Sequence, residues 1–170
     1  MNKNGKHAIR QLRLLPAALI AAAVLFSCTT IDCPLNNLVH TKFVMMGDVD
    51  TLKDTLNVIA LRQDGTDTIL YNLGVNTTSL SLPISYQQTE DQLVFLVTDT
   101  TTKVTTSDTL RITKLNSPHF ESTECPPTFF HEITAVSTTH HQIDSVVINN
   151  PHVDNDNQKE HIYIYYRPRD

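Results

Sequence analysis

Leu56-Asn57-Val58-Ile59-Ala60-Leu61-Arg62-Gln63-Asp64-Gly65-Thr66-Asp67-Thr68-Ile69-Leu70-Tyr71 sets two apolar runs, residues 56–62 and 68–71, on either side of Asp64-Gly65. A tight hairpin turn needs positive φ angles, which glycine adopts without a Cβ penalty. The stretch predicts two antiparallel strands joined between Arg62 and Thr68.

Outward from that hairpin the chain repeats the same pattern. Short apolar or alternating runs are separated by Asp, Asn, Gly, Pro and Thr, and no segment after Cys28 shows helical periodicity. Further strands are predicted over 39–46, 80–86, 93–98, 108–115, 129–136, 143–148 and 161–166. With the hairpin they make nine, which implies an all-β chain folded as a single antiparallel β-sandwich domain. In Leu80-Ser81-Leu82-Pro83-Ile84-Ser85-Tyr86 the proline lacks a ladder donor, so this strand is expected at an edge. Residues 98–107 are polar around Val104 and read as an exposed hairpin loop. In the last strand Ile162, Ile164 and Tyr166 share one face while His161, Tyr163 and Tyr165 share the other. Cover by another sheet explains this arrangement, and an aromatic face for carbohydrate or a partner is the alternative.

The first segment has a different grammar. Lys3, Lys6, Arg10 and Arg13 precede an apolar run over 14–26, the layout of an export signal and too short for a comfortable membrane span. Leu25-Phe26-Ser27-Cys28 follows, and it resembles the lipobox of bacterial lipoproteins. The resemblance implies cleavage before Cys28 and lipid on that cysteine, each acyl methylene contributing about 0.8 kcal/mol of membrane attachment. The expected organisation is a signal peptide over 1–27, a lipidated tether over 28–38 and the sandwich over 39–170.

The whole chain has 13 Lys and Arg against 18 Asp and Glu, and all four basic residues of the signal would leave with it. A body of net charge about minus nine, with no basic stripe, excludes nucleic-acid binding. Cys33 and Cys125, each followed by proline, read as one disulfide pair in an exported chain. Two inert thiols are the first alternative and a redox or metal pair the second, although neither cysteine lies in a CxxC motif. The bridge would close a loop of roughly ninety residues, worth at most about 4.5 kcal/mol in chain entropy.

No motif for catalysis or a cofactor emerges. After Cys28 only three glycines remain, with no nucleophile elbow and no phosphate cradle. His40, His119, His131, His140, His141, His152 and His161 invite a metal reading. Adjacent His140 and His141 cannot share a strand face, however, and are expected in the turn before Ile143. A site joining one of them to His131 is conceivable, but solvated loop histidines are the simpler reading, and no metal site is assigned. Asp154-Asn155-Asp156-Asn157-Gln158 resembles the opening of a calcium loop yet has Lys159 where glycine belongs and Tyr165 where an acid belongs. It reads as a polar turn. Glu90 with Asp91, and Glu121 with Glu124, read as solvated surface pairs.

A lipobox cysteine, Cys33-Pro34, Leu82-Pro83, Ser107-Asp108-Thr109-Leu110-Arg111-Ile112 and Phe120-Glu121-Ser122-Thr123-Glu124-Cys125 occur in an order similar to that of the small lipoproteins of Bacteroidota classed as domain of unknown function 6452. The family has glycine after its second body cysteine, where this chain has Pro126. The resemblance implies an envelope lipoprotein and transfers no catalytic residue. A second resemblance concerns the Asp, Ser or Thr, aliphatic pattern at which such bacteria attach O-linked glycans, with Thr51, Thr55 and Thr100 as the candidate exposed acceptors. Chance recurrence of Asp and Thr at turns is the bland explanation of the pattern.

The expected function is a non-enzymatic accessory, binding or structural module, with an envelope enzyme or a His-based metal-binding protein as alternatives. Its expected partners are a membrane, through the lipid on Cys28, and an envelope protein or glycan. Thr29-Thr30-Ile31-Asp32 lacks an acidic run, which favours the periplasmic side of the outer membrane.

Overall fold

The computed structural model describes Cys33 and residues 38–168, and the signal segment and Cys28 lie outside the described residues. The chain divides into one unit over Met1–Cys33 and another over Pro34–Asp170. Within the second unit every described regular element is a strand. These are β1 (His40–Met46), β2 (Thr55–Leu61), β3 (Thr68–Gly74), β4 (Ser79–Pro83), β5 (Glu90–Thr98), β6 (Thr105–His119), β7 (Thr128–Ser137), β8 (Ile143–Ile148), β9 (His152–Val153) and β10 (Ile162–Tyr166).

Two sheets form the sandwich. One has the order β4-β1-β10-β8 and the other β3-β2-β5-β6-β7-β9. Phe43 from the first meets Phe95 from the second edge to face, with ring centroids 6.2 Å apart, a geometry that aromatic pairs favour in cores. Around them Leu56, Val58, Leu93, Leu110, Ile112, Ile143, Ile162 and Ile164 are buried. Alternation does the sorting. In β5, Asp91, Leu93, Phe95 and Val97 are buried while the residues between them are more exposed.

All nine predicted strands form, and β2 and β3 pair around the Asp64-Gly65 turn. There Gly65 has a φ of +75°, and its N–H donates to the Arg62 carbonyl at 3.0 Å. β4 is an edge strand, with Pro83 opposite His40. β5 and β6 form the expected hairpin, but pairing continues to Thr98 and Thr105, so the loop is shorter than its composition suggests. Two features differ from expectation. A tenth strand, β9, caps β7, and β1 pairs with β10 in parallel rather than antiparallel. Ile162, Ile164 and Tyr166 are buried beneath the other sheet, as the covered-strand reading expects.

The inward positions of β6 are Asp108, Leu110, Ile112 and Lys114, so an apolar centre is bounded by a charge at each end. Those two charges position the loops described next.

Candidate functional site: a cleft backed by a buried polar network

Lys114 is only 1 % exposed and needs partners for its ammonium group. Its Nζ donates to the Gln88 carbonyl at 2.9 Å and to the Asp91 carboxylate. Asp91, 8 % exposed, also accepts the Ser85 N–H on both oxygens at 3.2 Å. The backbone N–H of Lys114 donates to Thr89 O at 2.8 Å. Beside it the β6–β7 ladder shifts register between Thr113 and Lys114, a bulge of the kind that re-aims side chains.

Asn116 extends the network. Its amide nitrogen donates to Tyr86 O at 3.0 Å and Gln88 O at 2.8 Å, leaving its oxygen to accept from His131 Nδ1 at 2.8 Å. That assignment puts the imidazole proton on Nδ1. Burial, helped by the Lys114 charge, pushes the His131 pKa down to about 4, so the ring is neutral.

Four backbone groups of the β4–β5 connection, on Ser85, Tyr86, Gln88 and Thr89, are thus fastened from behind. In front of them opens a cleft of about 390 Å³. Tyr86, Gln87 and Gln88 line it from this connection, and Arg62, Gln63 and Asp64 from the β2–β3 turn. Ala60, Leu70, Ile84 and Leu93 add apolar surface. Tyr86 stacks on Phe129 with centroids 4.9 Å apart and remains 44 % exposed. In the turn, Asp64 accepts both the Thr66 hydroxyl at 2.6 Å and the Thr66 N–H at 3.0 Å, which together hold its carboxyl below the usual value.

At the other end of β6, Asp108 is 2 % exposed. It accepts the N–H groups of His141 and Gln142 at 2.7 Å and Ile143 at 2.9 Å, together with the Thr139 hydroxyl at 2.8 Å. Burial pushes its pKa up, but these four donors outweigh burial and leave it lowered. Burial and the nearby Asp108 charge push the Tyr166 phenol up.

The residues singled out from sequence fall as follows. Cys28 lies outside the described residues, and Cys33 and Cys125 form a disulfide. Thr100 is exposed in the β5–β6 loop, but Thr51 is half-buried and Thr55 is half-buried at the start of β2, which corrects their reading as exposed acceptors. His140 and His141 do occupy the bend before β8, His140 with a φ of 61°. His131 and His161 are buried, not solvated loop residues. His161 accepts the Lys42 N–H on Nδ1 at 2.9 Å while its own N–H donates to Lys42 O at 3.0 Å, and burial lowers its pKa. Among the described residues no group of three or more His, Cys, Asp or Glu is placed to hold a metal ion. In the calcium-like stretch Asp154 bonds to Lys159 at 2.6 Å and to the Asp156 N–H at 2.9 Å, closing a polar turn. Glu121 and Glu124 are exposed, as is Glu90, but Asp91 is buried against Lys114 and is not a solvated surface residue.

Neither Lys114 nor Asn116 is singled out from sequence, and Asp108 is quoted only within the family-like stretch. The available signal was phase, because Asp108 and Lys114 alternate in register with Leu110 and Ile112.

These features define a two-sheet, all-β domain with a cleft of mixed polar and apolar lining at the end where β2 runs out. The chain belongs to a family of unknown function, DUF6452, whose model matches residues 55–166, from the first residue of β2 to the last of β10. No curated protein and no solved structure matches the chain.

Proposed function

We propose that this chain is a cell-envelope lipoprotein, held to the membrane by lipid on Cys28, that serves as a non-enzymatic accessory, binding or structural module. The observation that carries the reading is the Cys33–Cys125 disulfide in a chain that opens with a basic, apolar, cysteine-terminated leader. Disulfides persist in oxidising compartments, so bridge and leader independently support export. The Lys114 amine supports a structural role over a catalytic one, because it is buried and engaged by Asp91 and Gln88.

The outer membrane, periplasmic side, is the proposed location, with Thr29 and the short acidic content after Cys28 as its support. Thr100, exposed in the Asp99-Thr100-Thr101 stretch, is the proposed acceptor if the chain is O-glycosylated.

Labelling cells with a radioactive fatty acid tests the anchor. The wild-type chain should incorporate label and Cys28→Ser should not; equal labelling of both would refute lipid attachment at this residue. Crosslinking in intact envelopes should recover a partner or glycan. Turnover of substrate by the purified chain in a hydrolase panel would overturn the non-enzymatic assignment.

A further inference from the structure

We infer that the cleft between the β2–β3 turn and the β4–β5 connection is a binding site for a neutral saccharide of one or two rings. This deepens the binding-module reading and rests on it.

The size is suitable. A volume of about 390 Å³ lies within the range of small-ligand pockets, roughly 300–1,000 Å³. The two carboxylates of the lining are already engaged. Asp91 is neutralised by Lys114. Asp64 is also committed to Thr66. A cationic ligand would therefore compete with existing partners, whereas hydroxyl groups need not, and the Arg62 guanidinium can donate to them.

The remaining chemistry matches a polyol. The side-chain amides of Gln63 and Gln88 have no hydrogen-bond partner among the described residues, and each offers a donor and an acceptor for adjacent hydroxyl groups. Tyr86 adds an aromatic ring whose stacking on Phe129 limits its rotation. A sugar carries hydroxyl groups on its edges and C–H groups on its faces. Side-chain amides meet the first, and the aromatic ring and apolar lining meet the second.

The wall is also built in advance. A buried ion pair is weak as a source of stability and serves better to select one conformation. Here Lys114, Asp91 and Asn116 select one conformation of residues 85–89. A wall fixed before binding lowers the ordering cost of the bound state.

The test uses the full chain in a sugar-free zwitterionic detergent. It is titrated with glucose, galactose, mannose, N-acetylglucosamine, maltose and cellobiose, followed by saturation-transfer NMR and calorimetry. A second arm uses dextran and mannan. At least one neutral sugar should bind at concentrations up to about 10 mM, and Tyr86→Ala should weaken it about tenfold. Gln88→Ala should weaken it too, with both variants keeping the wild-type circular dichroism spectrum. Binding of the small sugars identifies a free or terminal residue, and binding of the polymers alone identifies an internal segment. No binding by any of these ligands, preference for glucuronic acid over all of them, or binding unchanged in both variants would overturn the proposal. Fatty-acid labelling is unaffected by any of these results, so the anchor and the cleft stand or fall separately.

Discussion

The two ends of β6 solve one problem in two ways. Asp108 and Lys114 both face inward from the same strand, and each fastens a loop. Asp108 is solvated by neutral donors, three backbone N–H groups of residues 141–143 and one hydroxyl. Lys114 is solvated by an opposite charge and a carbonyl. A carboxylate accepts several bonds and suits a tight bend whose N–H groups converge. An ammonium group only donates, so it draws on the carbonyls of a longer connection and needs Asp91 to cancel its charge. The Asp108 end is a clamp with one charge; the Lys114 end has two, and each depends on the other.

The largest expected effect breaks that dependence. Lys114→Ala strands Asp91 and should cost about 3–5 kcal/mol, measured by urea denaturation followed by circular dichroism. Asp91→Leu combined with Lys114→Met should recover most of the loss, since replacing both charges by apolar groups is often neutral. A double variant no more stable than Lys114→Ala would show that the pair does not act as a unit.

Asp108→Ala comes next, at about 2–3 kcal/mol, because it leaves converging buried donors unpaired. No single second substitution should rescue it, as its partners are main-chain groups. A rescuing point mutation would place the two ends in one class.

Acid separates the ends without mutation. His131 has a folded pKa near 4, below its ordinary 6.5, so its contribution to stability is fully present above about 6.5 and is lost as pH falls towards and through 4. Asp108 has a folded pKa below the ordinary 3.8, so its contribution is present above that value and is lost as pH falls through the lowered one. Amide exchange at residues 85–89 should therefore accelerate before exchange at 139–143 as the solution is acidified. His161, also lowered by burial, adds to the same early window, and His131→Gln isolates the share due to His131. Simultaneous loosening at both ends would contradict the assignment.

The smallest effect sharpens the clamp. His141 lies 3.4 Å from Asp108 through its ring, but its side chain is 62 % exposed. The backbone N–H makes the bond that matters, so His141→Ala should change stability by less than about 0.5 kcal/mol. A larger loss in the same denaturation assay would mean that the ring carries part of the clamp.

Much of this architecture was legible from local pattern. The turn at Asp64-Gly65 needs only one positive φ, the edge position of β4 follows from the donor that Pro83 lacks, and two adjacent histidines cannot share a strand face. The network was not legible, because lysine and aspartate are ordinarily surface residues and nothing near Lys114 in sequence announces Asp91, 23 positions away. Neither was the parallel pairing of β1 with β10. Backbone direction leaves no trace in side-chain alternation, and a two-residue strand such as β9 is too short to have a period at all.

That parallel pairing also bears on folding time. Lys42 and His161, stitched together through backbone and imidazole, stand 119 positions apart, and β10 lies inside its sheet rather than at the margin. β1 therefore has no neighbour on that side until residues 162–165 join it. A sheet closed between residues 119 positions apart carries high contact order, which places refolding on the millisecond-to-second scale rather than the microsecond scale. Until then the chain is a row of hairpins awaiting a keystone, and a premature stop before codon 162 would leave them without one.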